Sequence, residues 1–247
     1  MENYLQMRRM LWNLRGNAVQ CPACEWHGSH FLEDLWHEGT ICPKCQSDTR
    51  HRLLLASFQY LPEFSTNSFL AGKNILHVAP ELQISHNLNK ITRKYVTADL
   101  QRSDVDIKID ITRMPSIASE SFDIVIACDV LEHVYEDSAV LAEFYRVLRK
   151  DGTAILTVPQ SDHAATTYED KSITSPQERE KAFGQWDHLR IYGADFVDRV
   201  RAAGFKPHVV DEDSFDESVV ERLVLRPPQL SSHPLATNYR RVFFCRK

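Results

Sequence analysis

The sequence predicts an α/β fold: a doubly wound, mostly parallel sheet preceded by a small N-terminal module. Three observations carry this. Phe122 to Ala127 is a nearly continuous apolar run rich in Val and Ile, as a strand buried on both faces requires. Val140, Leu141, Phe144, Val147 and Leu148 then recur along one helical face, and Thr153 to Val158 is a second apolar run. A strand, a helix and a strand in that order form a parallel pair with a right-handed crossover. Finally, Cys21-Pro-Ala-Cys24 and Cys42-Pro-Lys-Cys45 form two C-x2-C pairs separated by 17 residues, a spacing that belongs to a separate small unit.

The 247 residues are 43% hydrophobic and 26% charged, enough for one sizeable core plus an appended module. Residues 1–52 are expected to form that module and 53–247 the α/β domain. No apolar run approaches the roughly 20 residues that span a bilayer, so no membrane association is expected. The opening MENYLQMRRM does not read as a signal peptide, and the expected location is cytoplasmic. A net charge of −5 provides no global attraction for nucleic acid.

Leu5 to Leu14 is expected to be a short helix. Next, two tight turns each offer two thiolates. Together they fit a tetrahedral zinc site with Cys21, Cys24, Cys42 and Cys45 as ligands, and four thiolates leave no open position, so the zinc is expected to be structural. Disulfides are disfavoured in the cytosol. Trp26, Phe31, Leu35 and Trp36 would supply the module's core. Its role stays open between stapling the N-terminus, a dimer contact, and presenting Trp36, His37 or Arg50-His51-Arg52 to a substrate. That basic triplet reads as the solvated start of a helix running to Pro62. Ser65 to Gly72 reads as a loop.

Lys73 to Ala79 and Tyr95 to Leu100 read as strands, with a helix over Leu82 to Ile91 between them. Val105, Ile107 and Ile109 alternate with Asp106, Lys108 and Asp110, as in a more exposed strand. After the Phe122 strand comes a polar turn with Asp129, Glu132 and His133. Gly152 is expected to end the following helix in the left-handed conformation. In such sheets ligands bind outside the carboxyl ends of the strands. Gln160 to Arg190 is too long for an ordinary connection. Ser175-Pro176-Gln177-Glu178 signals a helix start within it, and residues 160–192 are expected to form a lid. A helix over Gly193 to Ala203, a strand over Lys206 to Val210, a loop over residues 226–238 and a last strand over Arg241 to Cys245 complete the chain.

The stretch FDIVIACDVLEHV…LAEFYRVLRKDGTAILTVP resembles the second half of class I S-adenosylmethionine (SAM) dependent methyltransferases. The resemblance covers roughly Lys73 to Pro159 and, more weakly, the chain end. It implies a seven-stranded sheet whose last strand inserts antiparallel between the fifth and sixth. It also implies SAM as methyl donor and S-adenosylhomocysteine as product. By this resemblance Asp99 accepts both ribose hydroxyls, with Leu100 beside it. Asp110 and Ile111 meet the adenine. Asp129, Val130 and His133 lie near the methionine part and the reactive methyl. Where the family has an acidic residue and a glycine-rich turn, this chain has His77-Val78-Ala79-Pro80-Glu81. The cofactor loop is accordingly assigned to His77, Ala79, Pro80 and Glu81, with Glu81 meeting the methionine amino group.

The expected reaction is methyl transfer to an oxygen or nitrogen of a small molecule, sugar or biosynthetic intermediate. His188, His163 and His133, in that order, are the candidate bases. Tyr168, Asp187, Arg190 and Tyr192 are the candidate substrate contacts, Arg190 as the holder of a carboxylate or phosphate. Residues 1–72 hold six Lys/Arg and seven Asp/Glu, so the module is not a basic nucleic-acid clamp. Ala127-Cys128-Asp129-Val130 also differs from the Asn-Pro-Pro-aromatic turn of enzymes that methylate base amino groups. Two other readings stay open: an RNA methyltransferase with a zinc module, and a non-catalytic methyltransferase-like binding protein. A homodimer is also left open.

Overall fold

The structure, a computed structural model, describes residues 14–247. The helix expected over Leu5 to Leu14 lies, but for Leu14, outside the described residues. Two short strands, β1 (Val19–Gln20) and β2 (His27–Gly28), pair antiparallel around the first cysteine pair. Helix α1 (Thr49–Tyr60) follows the second pair. Asp48 caps it, accepting hydrogen bonds from the Arg50 and His51 amides.

The main sheet has seven strands: β3 (Asn74–Val78), β4 (Lys94–Asp99), β5 (Ile107–Lys108), β6 (Phe122–Cys128), β7 (Leu148–Thr157), β10 (Lys206–Val210) and β11 (Val242–Arg246). Their order across the sheet is β10-β11-β7-β6-β3-β4-β5. β11 runs antiparallel to both neighbours, and the pairs from β7 to β5 are parallel. This is the sheet that the resemblance implies. Helices α2 (Leu82–Leu88), α3 (Asp137–Val147), α5 (Phe196–Ala202) and α6 (Glu217–Leu223) flank it. Between β7 and α5 the chain makes a long excursion. It contains β8 (Tyr168–Glu169), α4 (Pro176–Phe183) and β9 (Arg190–Ile191), with β8 antiparallel to β9. Ser175 caps α4 by accepting from the Glu178 amide, and Gly184 ends it at φ 85°, where a side chain would be strained.

Four details depart from expectation. α3 passes into β7 with no left-handed glycine. Phe122 pairs with Leu148 but Ile124 pairs with Thr153, so residues 149–152 bulge out, and Asp151 takes the positive φ of 64°. Gly152 is needed for space instead, since a Cβ there would sit 2.9 Å from the Arg149 carbonyl oxygen and 3.0 Å from that of Asp123. β5 is only two residues long. Asp106 turns its carboxylate onto the Thr97 amide and hydroxyl at 2.8 and 2.7 Å in place of a ladder. α6 was not expected, because the acidic run before it hides the buried Val220 and Leu223. Residues 65–72, read as a loop, contain a wide helical turn over Thr66–Leu70.

Apolar side chains form one core on each face of the sheet. One core joins Leu76, Val125, Phe144, Leu156 and Phe196. The other joins Ile124, Ile126 and Phe244 to Leu53, Leu54, Cys21, Phe31 and Cys42. The cysteine module thus shares a core with the sheet. Arg52 locks this junction. It is fully buried, sits 4.3 Å over the Phe31 ring, and donates to the carbonyls of Thr40, Ser47, Leu223 and Val224 at 2.7–2.9 Å. Burial brings its pKa down to about 10. The basic triplet is therefore not a solvated helix start. Its three side chains face inward, where carbonyls and carboxylates satisfy them.

Candidate active site

A cavity of about 790 Å3 opens at the carboxyl ends of β3, β4 and β6. Ala79, Asp99, Leu100, Asp110, Ile111, Asp129, Val130, His133 and Asp187 line it. Asp99 closes β4, and its Oδ1 accepts the Gln101 and Arg102 amides at 2.7 and 2.9 Å. Asp110 Oδ1 accepts the Thr112 amide and hydroxyl at 2.9 and 2.7 Å. Two strand ends turn with non-glycine residues in the left-handed region, Ala79 at φ 47° and Asp129 at φ 49°. Each such residue costs about 1–2 kcal/mol, and such strain collects at functional turns. The turns are pinned where Ala79 N donates to Ala98 O at 2.8 Å and Asp129 N to Thr157 O at 3.0 Å.

Three residues assigned to the cofactor loop lie off this wall. His77 is fully buried and bonds the Tyr95 hydroxyl through Nδ1, and burial lowers its pKa to about 4. It is a neutral core residue at neutral pH. Pro80 turns its carbonyl to Arg102 Nη1 at 2.7 Å. Glu81 divides its carboxylate: Oε2 has no partner among the described residues, and Oε1 is taken by protein. Its Oε1 accepts Arg50 Nη2 at 2.6 Å and His51 Nε2 at 2.9 Å, because a carboxylate buried beside two cations is held by them.

Arg50 also bonds the Asp48 carboxylate and reaches Asp129 Oδ2 with Nε at 3.2 Å. Arg240 meets the same Oδ2 at 3.1 Å, and the Thr157 hydroxyl donates to Oδ1 at 2.7 Å. Burial alone would raise the Asp129 pKa. Arg50 and then Arg240 outweigh it and hold the carboxyl below its ordinary value.

A second, more polar cavity of about 360 Å3 lies between the excursion, the cysteine module and the chain end. Trp36, Glu132, His133, Phe183, Gln185, His188 and Arg240 are among its walls, and Asp129 and His133 line both cavities. Trp36 stacks on His233 at 4.0 Å, and His37 Nε2 lies 3.1 Å from Asn238 Oδ1, so the chain end closes the cysteine side. The Leu189 amide donates to the Glu132 carbonyl at 2.9 Å and ties the excursion to the turn after β6.

Four expected site residues stand elsewhere. Arg190 is buried, and its guanidinium donates to the carbonyls of Leu131, Val134 and Tyr135 and to Glu169 Oε2, all at 2.6–2.9 Å. It holds the excursion, with every guanidinium nitrogen donating to protein oxygen. Tyr192 is fully buried with its hydroxyl on Asp137 Oδ2 at 3.0 Å. Tyr168 is half exposed and packs on Phe183 at 5.5 Å, off both cavities. His163 is exposed and also off both. An excursion needs its own internal ties, and the sequence does not separate these from ligand contacts. Conversely, Arg240 was not expected in the site and carried no local signal. The sequence leaves Trp36 and Arg50 open as residues the module could present, and Glu132 was expected only as part of the polar turn on the ligand side.

At the other end of the module, Cys21 Sγ lies 3.6 Å from Cys45 Sγ, and Cys24 Sγ 3.7 Å from Cys42 Sγ. Tetrahedral zinc with bonds of about 2.3 Å sets its sulfurs about 3.8 Å apart, so this donor set fits zinc. The two turns are alike. Glu25 (φ 59°) and Gln46 (φ 60°) follow the second cysteines, and their amides bond the Cys21 and Cys42 carbonyls at 2.9 Å.

Residues 74–156 match a family described as a methyltransferase domain. Over that stretch the chain is similar to a methyltransferase domain. Solved structures share the fold. One is the 1,6-didemethyltoxoflavin N1-methyltransferase of Burkholderia thailandensis with bound 1,6-didemethyltoxoflavin and S-adenosylhomocysteine. It is 16% identical with a TM-score of 0.50, over 81% of this chain and 77% of that one. Another is phosphoethanolamine N-methyltransferase 2 of Haemonchus contortus, 13% identical with a TM-score of 0.50, over 79% of this chain and 52% of that one. No curated protein matches the sequence.

Proposed function

We propose that this methyltransferase moves a methyl group from SAM to an oxygen or nitrogen of a small-molecule acceptor. The observation that carries the reading is the meeting of two cavities at Asp129 and His133. The larger holds the donor. Asp99 accepts the ribose hydroxyls, Asp110 and Ile111 flank the adenine, and Ala79, Asp129 and Val130 surround the methionine part. SAM, when bound, supplies an electrophilic methyl on a sulfonium. The smaller cavity holds the acceptor, and its size suits a small molecule. The chain's own work is to align the two reactants, which accounts for most of the rate in such transfers. His133 and His188, rather than His163, stand where a nucleophile must lose its proton or be polarised. Zinc on the four cysteines keeps Trp36 and α1 in place as walls of this site. The Burkholderia enzyme, of the same fold, is known with 1,6-didemethyltoxoflavin and S-adenosylhomocysteine bound, which supports a small acceptor.

The test is calorimetric titration with SAM and S-adenosylhomocysteine, followed by a screen of hydroxyl and amino acceptors for S-adenosylhomocysteine release. Micromolar binding and acceptor-dependent release support the reading. A folded, zinc-loaded protein that binds neither compound rejects it.

A further inference from the structure

Glu132, His133 and His188 converge at the junction of the two cavities. His133 Nε2 and His188 Nε2 each lie 3.9 Å from the same oxygen, Glu132 Oε1. The three donor atoms all lie within 4.8 Å of one another. Glu132 is completely buried, and neither of its carboxylate oxygens has a hydrogen-bond partner among the described residues. A carboxylate so placed is costly unless a cation or a proton joins it.

The outer nitrogens of the imidazoles are already held. His188 Nδ1 lies 3.2 Å from the Phe183 carbonyl oxygen, and His133 Nδ1 lies 3.3 Å from Asp187 Oδ2. A carbonyl only accepts, so His188 carries its hydrogen on Nδ1 and presents the Nε2 lone pair to Glu132. Asp187 favours the same tautomer in His133. An imidazole whose outer N–H is fixed by a carbonyl or carboxylate is the usual arrangement around a metal ligand.

We infer that Glu132, His133 and His188 bind one divalent first-row transition-metal ion, separate from the ion on the four cysteines. The geometry allows it with little movement. A point between three atoms spaced by 3.9, 3.9 and at most 4.8 Å lies at most about 2.5 Å from each, against bonds of about 2.0–2.2 Å to such an ion. Closing the difference takes a shift of a few tenths of an ångström in side chains alone. Two imidazoles and a carboxylate suit Zn2+, Fe2+ or Mn2+ with open positions, and disfavour Ca2+ and Mg2+, which take oxygen ligands. His133 lines both cavities and His188 the smaller one. A ligand taken from solution or from the acceptor, a hydroxyl or carboxylate oxygen, would approach from the smaller cavity. Only that last point rests on the methyl-transfer reading; binding of the ion does not.

The test counts metal in the full-length protein. Metal-depleted wild type, the variants Glu132→Gln and His188→Ala, and a Cys42→Ser control are loaded with Co2+, and bound metal is measured by mass spectrometry alongside visible spectra. Wild type is expected to hold two equivalents: one with the intense sulfur-to-cobalt bands of a thiolate site, the other with the weak bands of nitrogen and oxygen ligands. Glu132→Gln and His188→Ala should each hold one, keeping the thiolate bands. Gln has nearly the shape of the Glu132 side chain and no charge to bury, so that variant is expected to fold. A single equivalent in wild type, or a second one that survives Glu132→Gln with its weak bands, overturns the inference. Neither outcome depends on turnover, so methyl transfer can stand or fall separately.

Discussion

Arg50 Nη2 lies 2.6 Å from Glu81 Oε1, and this pair joins the helix that leaves the cysteine module to the loop that ends the first parallel strand. The same guanidinium reaches Asp129 after β6. One side chain thus ties together two of the strand ends that frame the larger cavity. Removing it takes a cation from three carboxylates, Asp48, Glu81 and Asp129, in a desolvated site. Arg50→Met is expected to cost about 3 kcal/mol, because breaking a buried pair costs more than never having built it. Chemical denaturation measures this, and the double variant Arg50→Met/Glu81→Gln should recover about 1 kcal/mol or more of it. A loss below about 1 kcal/mol in the single variant would show that Arg240 alone suffices for Asp129.

His51 makes stability depend on pH in the same cluster. Burial would lower its pKa, but the Asp48 carboxylate outweighs that and lifts it to about 9. Its two ring nitrogens meet Asp48 Oδ1 at 2.8 Å and Glu81 Oε1 at 2.9 Å, as an imidazolium does. The folded pKa lies above the unfolded one of about 6.5, so the folded protein binds the proton more tightly. This stabilisation, on the order of 3 kcal/mol, is complete below pH of about 6.5 and fades as pH rises towards about 9. Thermal melts across pH 6–9.5 should fall in wild type and flatten in His51→Gln. An equal slope in both would remove His51 as the source.

Cys42→Ser should lose bound zinc. Phe31, Cys21 and Cys42 share a core with the sheet, so the whole domain is expected to melt lower, by about 10 °C, as a loss of several kcal/mol does at this size. Full zinc content in the variant would rule out the four-thiolate site.

Asp99→Ala should weaken SAM affinity by at least about tenfold, since hydrogen bonds to a charged acceptor are worth about 1.5–3 kcal/mol each. Asp99 carries only its own turn in the fold, so the melting temperature should move little. Calorimetry that returns wild-type affinity would withdraw Asp99 from the donor site.

Arg190→Lys separates a structural from a substrate-binding role. A lysine cannot reproduce donation to three carbonyls and a carboxylate. The variant is expected to lose about 2–3 kcal/mol of stability and to loosen the excursion, seen as faster hydrogen exchange over residues 160–192. Wild-type stability combined with a raised KM would return Arg190 to the substrate site.

The antiparallel place of the final strand came from the family resemblance; the sequence by itself determined the strand–helix–strand repeat, the helix within the excursion and the cysteine knuckles. Each rests on short-range patterns: apolar periodicity, the Ser175-Pro176 helix start, and fixed ligand spacing. The residues lining the larger cavity were legible for a related reason. In a parallel sheet, position at a strand's carboxyl end already places Asp99, Asp110 and Asp129 on one side. Tertiary structure alone decided which charges face ligand and which face protein. Glu81 and Arg50 are 31 positions apart, Asp129 and Arg240 are 111 apart, and Arg52 reaches carbonyls 171 and 172 positions on. No local pattern encodes such pairs. Desolvation does, because a charge taken from water must find its partner wherever the fold brings one near. The same cause turned Arg190 and Tyr192 from expected substrate contacts into internal ties. It also left the Glu132 carboxylate, with no hydrogen-bond partner among the described residues, beside His133 of its own turn and His188 of the excursion.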